Sequence, residues 1–312
     1  MARPQARTFT RGQLIGYISL CLIWGSTWLG IRVVVRDVPP FEAAALRFIA
    51  AGALLLGAAV AQRRRWPQDS SQWVAVLVLS LTMMAIPYGL LFWAEQHVMS
   101  SMTAIFYSAM PLTVALLTPA MMHRKVPRTA VYAMVVAFGA LMSVFYTELS
   151  VSRRSTIGGA LVLVSMALSS WSAVYAKRRL RDIDSVVATG LQLMFGSVVL
   201  LWATWVFEAH RTAVWSRTAV IAMAFLTLFG SAAAFVIYYW LLKRLQPYQL
   251  STISLITPVI ALAEGWLWGE PVDWMMVVAI VVVLGSVRVV LRAEAELKRE
   301  DDNILMLRDS AQ

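Results

Sequence analysis

Long apolar runs and short polar segments alternate along the whole of this 312-residue chain. A helix needs roughly 20 apolar residues to cross the hydrocarbon core of a bilayer, which is about 30 Å thick. Runs of that length predict ten membrane-spanning helices, with connections too short for a separate extramembrane domain. The runs lie at 12–35, 41–61, 73–94, 98–121, 128–147, 157–176, 184–207, 217–241, 247–269 and 273–292.

Lysine and arginine are distributed unevenly between alternate connections. The termini and connections on one side carry 19 of these residues, those on the other side carry 5, and 3 lie within runs. Because an excess of Lys and Arg marks the cytoplasmic side, both termini are predicted to be cytoplasmic. The first run follows Arg11 and is longer than the apolar part of a signal peptide, so we expect it to be retained as a helix.

Composition supports the membrane assignment and argues against other classes of protein. Hydrophobic residues make up 60% of the chain and charged residues 14%, with a mean hydropathy of +0.69, unlike a soluble domain. The net charge of +10 is clustered between runs, which disfavours nucleic-acid binding. A single cysteine, Cys21, and three histidines at run ends predict no metal and no cofactor. Since the chain shows no nucleophile–base pair and no phosphate-binding glycine loop, we do not expect an enzyme.

The chain contains an internal repeat. Trp24 and Trp171 are separated by the same 147 positions as Pro111 and Pro258. Each half contains five runs, and because five is odd, the second half must enter the membrane with the opposite orientation. The sequence therefore predicts an all-α integral membrane protein of ten transmembrane helices, arranged as two inverted five-helix repeats. The predicted boundaries are 12–147 for the first repeat, 157–292 for the second and 293–312 for a charged cytoplasmic tail.

Six segments spread over both halves share their pattern with a known family. They are WGSTW at 24–28, PPFEAAALRF at 39–48, AEQHVMSSMTAIFYSAMPL at 94–112, FGSAAAFVIYYWLLKRLQP at 229–247, ITPVIALAEGWLWGEP at 256–271 and VVLGSVRVVL at 282–291. In these segments the chain resembles the EamA-type transporters of the drug/metabolite transporter superfamily. The resemblance implies ten helices in two EamA repeats, a central cavity, and export of small metabolites such as amino acids.

Residues near the middle of the runs are candidates for a substrate cavity. Trp24, Trp171, Pro111 and Pro258 each fall within a few residues of the middle of their run, the depth expected for a site between two halves. The competing interpretation is that such residues only pack or kink membrane helices. The predicted cavity adds aromatic and hydroxyl side chains to these four. The full set is Trp24, Ser26, Thr27, Tyr107, Ser108, Pro111, Trp171, Tyr175, Ser231, Tyr238, Ser254 and Pro258.

Ionisable residues inside the runs are functional candidates, because an unpaired charge in a bilayer costs roughly 2.5 kcal/mol or more. Glu264, Arg47, Arg32 and Glu95 all lie in the predicted outer half. One interpretation is an outer gate in which Glu264 pairs with Arg47 or Arg32 and takes up a proton. The other is a static ion pair that holds two helices together. The repeat counterpart of Arg47, near Gln192, is uncharged.

These observations favour an inner-membrane secondary transporter that exports small metabolites, amino acids or related amphiphilic solutes, by alternating access. Its expected partners are a small-molecule substrate, the lipid bilayer and, as a candidate coupling ion, protons. One alternative is an uncoupled facilitator or an uptake carrier. Another, from a different class, is a non-transporting membrane scaffold or lipid-handling protein. A scaffold would pack the deep polar residues tightly, without a shared cavity.

Overall fold

A computed structural model describes residues 10–98, 100–145, 153–267 and 274–309. Throughout these ranges the chain is helical or forms the connections between helices, without a strand, which confirms the all-α fold. Each predicted run coincides with a helix or with two consecutive helical segments. They are α1 (Arg11–Asp37), α2 (Pro40–Ala61), α3 (Ser70–Ala94), α4 (Ser100–Ser108 and Met110–Met122), α5 (Arg128–Phe145), α6 (Arg153–Arg179), α7 (Ser185–Phe207), α8 (Arg217–Leu242), α9 (Pro247–Ser251 and Ile253–Leu267) and α10 (Trp274–Asp309).

Most of these helices have the length and hydropathy of membrane spans. Eight of them are long and apolar enough to cross a bilayer. Helix α5 is apolar but shorter, and α9 is interrupted at Thr252. Helix α10 continues into the charged tail as far as Asp309. The integral membrane fold is therefore confirmed, while the number of crossings and the cytoplasmic location of both termini stay predictions.

Helix packing repeats between the two halves. Helices α3 and α4 pack against α6, and their counterparts α8 and α9 pack against α1. Two pairs of equivalent helices, α2 with α7 and α5 with α10, join the halves directly. Small residues permit the α2–α7 approach: a Cβ on Gly52 would lie 2.8 Å from Met194 Cγ and 3.2 Å from the Gly190 carbonyl oxygen. The two halves are thus interleaved rather than placed side by side.

Helices α3 and α8 each contain a π-helical stretch at an equivalent position. The stretch is Ser80–Ala85 in α3 and Leu226–Ala233 in α8, and a shift of 147 positions places the first within the second. π-Helical turns are frequent at functional sites. Tyr88 and Phe235, which are themselves 147 positions apart, lie three and two residues after the two stretches. Each half therefore interrupts its α-helical geometry just before an aromatic residue that faces the cavity described below.

Glu208, just after α7, caps the beginning of α2. Helix α2 starts at Pro40 without a side-chain cap from its own sequence. The Glu208 carboxylate instead accepts hydrogen bonds from the backbone N–H groups of Phe41, at 3.1 Å, and Glu42, at 3.0 Å. Burial raises the pKa of Glu208 by more than these hydrogen bonds lower it. A cap supplied by a residue 167 positions away leaves no local signal in the sequence, so Glu208 is not among the predicted residues.

Substitution of Gly25 tests the packing of α1 against α9. A Cβ on Gly25 would lie 2.6 Å from the Cβ of Ile260, and neither atom can rotate away. Overpacking of this kind costs typically about 1–3 kcal/mol. We expect Gly25→Ala to lower the apparent Tm of the purified protein in detergent. Gly139→Ala is the matched control, because nothing lies within 4 Å of the added atom. Equal Tm values for the two variants would contradict this packing.

Substitution of Glu208 tests the cap on α2. Glu208→Ala should lower the free energy of unfolding by about 1 kcal/mol, a typical value for a lost helix cap. Because the folded-state pKa is raised, the stability contributed by protonated Glu208 is present at low pH and is lost as pH rises through that pKa. The Tm of the wild type minus that of Glu208→Gln should therefore increase from about pH 8 to about pH 5. A difference that shrinks over this range would refute the assignment.

Candidate functional site

A cavity of about 100 Å³ lies where α1, α3, α4, α6, α8 and α9 meet, and both halves contribute to its wall. On the same measure a single water needs roughly 10–15 Å³, so the cavity has room for several waters or for part of a small solute. Aromatic rings form much of the wall, with ring centroids 5.4 Å apart for Trp24 and Tyr238 and 5.3 Å apart for Trp28 and Tyr107. The aromatic lining residues are Trp24, Trp28, Tyr88, Tyr107, Phe235 and Tyr238.

Helix α1 presents one continuous face to the cavity. Trp24, Thr27, Trp28 and Ile31 all line it, and their spacing of three, four and seven residues from Trp24 is that of one helical face. Ser26 lies off this face and donates a hydrogen bond to the Leu22 carbonyl oxygen at 3.1 Å. Within the WGSTW segment, helical periodicity therefore places Trp24, Thr27 and Trp28 at the cavity and Ser26 away from it.

Equivalent positions of the two halves face the same cavity. Four pairs of lining residues are separated by 147 positions, the offset of the internal repeat. The pairs are Tyr88 with Phe235, Leu91 with Tyr238, Tyr107 with Ser254, and Met110 with Thr257. The identities differ within every pair, so the cavity is symmetric in backbone position and asymmetric in chemistry. Adding the repeat offset of 147 positions to Tyr88 gives Phe235, a lining residue that was not among the predicted cavity residues.

Hydroxyl groups supply most of the polar atoms of the wall. The Thr27 hydroxyl donates to the Trp24 carbonyl oxygen at 2.8 Å, and the Ser254 hydroxyl donates to the Ser251 carbonyl oxygen at 2.8 Å. Thr257 repeats this pattern one turn further along α9 by donating to the Ser254 carbonyl oxygen at 3.2 Å. Because these protons are engaged with the backbone, the hydroxyl oxygens retain lone pairs that accept hydrogen bonds.

The structure brings five of the twelve predicted cavity residues to this wall and places the other seven elsewhere. The five are Trp24, Thr27, Tyr107, Tyr238 and Ser254. The other seven, in the part of the chain described, lie outside the lining: Ser26, Ser108, Pro111, Trp171, Tyr175, Ser231 and Pro258. Trp171 stacks on Tyr175 with ring centroids 4.9 Å apart, and Ser108 donates to the Ile105 carbonyl oxygen at 2.6 Å. Pro111 and Pro258 are buried within their helices. The lining residue Ser169, on α6, was not among the predicted set.

The four predicted gate residues occupy different surroundings. Arg32 donates from Nη1 to the Val98 carbonyl oxygen at 3.2 Å, which ties α1 to the turn after α3. Glu95 is buried in that same turn. Glu264 lies on α9, but its side chain is outside the described part of the structure. The Ile253–Leu267 segment packs against α1, α4, α5 and α10, whereas the helix of Arg47 packs against α1, α3, α7 and α8.

Arg47 is the largest fully buried side chain of the described residues, with 1% of its surface exposed. Its Nε donates to the Ser231 hydroxyl oxygen at 2.6 Å, while Nη1 has no hydrogen-bond partner among the described residues. The guanidinium carbon lies 5.3 Å from the Tyr88 ring centroid and 5.8 Å from those of Phe48 and Phe92. Such cation–π contacts contribute about 0.5–2 kcal/mol each, so the three together are of the same order as the roughly 2.5–3.5 kcal/mol that an arginine costs at the centre of a membrane helix, but none of them supplies a negative charge.

The position in the second half near the counterpart of Arg47 is neutral and hydrogen-bonded at its oxygen, while Gln192 Nε2 has no hydrogen-bond partner among the described residues. Gln192 on α7 is fully buried, and the Tyr239 hydroxyl donates to its Oε1 at 2.6 Å. The charge asymmetry expected from the sequence is therefore present in the folded protein. One half places a cation beside the cavity, and the other places an amide at a comparable location.

Two polar contacts join the halves at opposite ends of α2. At its carboxyl end, Arg64 forms an ion pair with Asp184 at 2.9 Å. At its amino end, the Ser216 hydroxyl donates to the Asp37 carboxylate. Asp37 and Asp184 are separated by 147 positions and are equivalent in the repeat. Because α2 has 22 residues, the two contacts are about 33 Å apart along the helix.

Comparison with known proteins agrees with this architecture. The EamA-like transporter family matches residues 11–146 and 156–292. The "Uncharacterized transporter YoaV" of Bacillus subtilis is 29% identical over 255 residues, which cover 81% of this chain and 87% of the relative. The "Protein PagO" of Salmonella typhimurium is 24% identical over 273 residues, covering 86% and 90%. The "Uncharacterized inner membrane transporter YedA" of Escherichia coli is 27% identical over 270 residues, covering 84% and 86%.

A solved crystal structure shows the same fold. It superposes with a TM-score of 0.74 at 18% sequence identity, and the match covers 90% of this chain and 96% of the other. The family match spans both repeats, each of which contributes to the cavity wall. The chain therefore belongs to the EamA-like transporter family and is a multi-pass membrane transporter of that type.

Proposed function

We propose that this chain is an inner-membrane secondary transporter that exports small amphiphilic metabolites, amino acids or related solutes, by alternating access. The observation that carries the proposal is the shared cavity, whose wall includes four pairs of repeat-equivalent residues. Inverted repeats that meet at a central site can rock about it and expose it to each side of the membrane in turn.

The cavity wall supports an amphiphilic solute. Its aromatic rings offer contact to an apolar body, and its hydroxyl oxygens offer acceptors to a donor group such as an ammonium. The indole Nε1 of Trp24 is buried without a hydrogen-bond partner among the described residues, which makes it a donor available to a solute. A purely apolar solute would leave these polar atoms unused, and a highly charged one would be poorly solvated by the rings.

The contacts at the two ends of α2 support alternating access. With the termini in the cytoplasm, as the charge distribution predicts, the Arg64–Asp184 pair lies on the cytoplasmic side and the Asp37–Ser216 contact on the outer side. Each contact joins one half to the other, so each must loosen for the cavity to open at its own end. Protons are the proposed coupling ion, with Glu264 as the candidate carrier.

The alternative functions differ in whether they require a central cavity. A scaffold or lipid-handling protein needs no shared central space, so the cavity argues against that class. An uncoupled facilitator or an uptake carrier would use the same wall and differs in energetics and direction. Flux measured in proteoliposomes with and without an imposed pH gradient separates those two from coupled export.

Substitution of Trp24 tests the cavity as the solute site. A metabolite-efflux screen of cells overproducing the protein first identifies exported solutes, which are then measured with purified protein in proteoliposomes. Trp24→Ala removes ring contacts from the wall and should raise the KM for aromatic solutes roughly tenfold, or about 1.4 kcal/mol, with a smaller change for aliphatic solutes.

The matched control is Trp205→Ala, which removes an indole that is 74% exposed on the outer surface of α7. This control should leave the order of solute preference unchanged. If Trp24→Ala reduced only the amount of folded protein and kept the same preference, the assignment of the cavity would be wrong.

A further inference from the structure

Arg47 is a buried cation without a carboxylate partner among the described residues. Its Nε is held by Ser231, and its Nη1 has no hydrogen-bond partner in the described part of the chain. A methionine could fill a similar volume without a charge to desolvate, and buried ionic groups are often replaceable in this way without loss of stability. The presence of a guanidinium at this depth therefore needs a reason other than packing.

The surroundings of Arg47 supply aromatic rings and hydroxyls rather than a counterion. Tyr88 and Phe92 face it from α3, Phe48 from its own helix, and Ser231 from α8. Thr27 approaches the same place from α1, as shown below. None of these side chains carries a negative charge at neutral pH. The described cavity lining likewise contains neither aspartate nor glutamate.

Arg47 lies directly behind the cavity wall. Tyr88, whose ring the guanidinium faces, is itself a lining residue. A Cβ on Gly230 would lie 2.9 Å from the Thr27 Cγ2 and 3.0 Å from the Arg47 Nη2. Arg47 and Thr27 therefore both touch the space that the missing side chain of Gly230 leaves open, and Thr27 is a lining residue as well. One layer of side chains separates the guanidinium from a solute in the cavity.

We propose that Arg47 binds the carboxylate of the transported solute, so that the solute supplies the counterion that Arg47 does not find among the described residues. This inference rests on the proposed function of the cavity. Rotation of the Thr27 and Tyr88 side chains exposes the Nη edge of the guanidinium, and Ser231 holds Nε so that this edge keeps its direction. A guanidinium and a carboxylate form two parallel charge-assisted hydrogen bonds.

The chemistry of the wall selects a monocarboxylate with an apolar or aromatic body. A single guanidinium balances one negative charge, and a second charge on the same solute would remain unpaired among the rings. Because no acidic side chain competes for Arg47 in the described lining, a carboxylate that enters the cavity gains the full interaction.

Pairs of solutes that differ only in charge test the proposal. The probes are phenylacetate with phenylacetamide, and hexanoate with hexanamide, titrated against the full-length protein in nanodiscs by calorimetry. The wild type should bind at least one acid roughly tenfold or more tighter than its amide, since hydrogen bonds between charged groups are the stronger kind. Arg47→Met should bring the ratio of acid to amide affinity close to one. Arg47→Lys should keep part of the preference, because the charge remains but the planar fork is lost.

Arg288→Met is the matched control, since Arg288 is an exposed cation on α10. Arg288→Met should keep the wild-type ratio of acid to amide affinity. A thermal unfolding curve for each variant shows whether it is folded, and Arg47→Met should be at least as stable as the wild type because it removes a buried unpaired charge. If Arg47→Met fails to fold, the role of Arg47 is tested by the ratio of acid to amide affinity in the wild type and by the reduction of that ratio in Arg47→Lys.

Two results would overturn the inference while leaving the proposed function intact. One is equal binding of acid and amide by the wild type, and the other is a preference for the acid that Arg47→Met retains. A third result would overturn both proposals, namely that no probe of either pair binds and no solute is transported in proteoliposomes.

Discussion

The close packing of α2 against α7 is the contact on which the rest of the structure depends. Gly52 and Gly190 let the two backbones approach, and a side chain on either glycine would meet atoms of the opposite helix at under 3 Å. This pair of equivalent helices joins the two repeats. The Arg64–Asp184 and Asp37–Ser216 contacts lie just beyond the two ends of α2, so polar contacts between the halves form close to the region where the halves meet.

The cavity follows from this arrangement of the halves. Interleaving brings equivalent positions of α3 and α8, and of α4 and α9, to one central space. The π-helical stretches of α3 and α8 occur at equivalent positions just ahead of Tyr88 and Phe235. The repeat thus explains where the wall lies, while divergence between the halves explains its chemistry. Aromatic rings come from both halves, whereas Arg47 beside the wall comes from the first half and the serine and threonine hydroxyls of α9 come from the second.

The helices were predictable from the sequence, because the bilayer requires long apolar runs whatever the tertiary structure. The fold class, the two-repeat architecture and the membrane location followed from those runs and from the spacing of Trp24 and Pro111 from their counterparts. The face that each helix turns to its neighbours was harder to predict. Thr27 lines the cavity and Ser26 does not, a difference that helical periodicity contains but that depth alone does not reveal.

Contacts between residues far apart in the chain could not be predicted from the sequence. The Arg47–Ser231 hydrogen bond joins residues 184 positions apart, and the Glu208 cap on α2 joins residues 167 positions apart. Ser231 entered the predicted set as a cavity hydroxyl, but the structure places it outside the lining, where its hydroxyl oxygen accepts the hydrogen bond from Arg47 Nε. Arg47 was grouped with Arg32, Glu95 and Glu264 as an outer gate, which stays a prediction, and its position beside the central space depends on contacts that the sequence does not reveal.

The central claim is that one cavity, built from both repeats, opens alternately to the two sides of the membrane. The most direct measurement is labelling of a single cysteine at Ser254→Cys, in a Cys21→Ser background, with a membrane-impermeant thiol reagent in inside-out and right-side-out vesicles. Cys21 is the only natural cysteine, so the background is clean. We expect labelling from both sides and protection by transported solute in both. Labelling from one side only, whether or not solute is present, would contradict it.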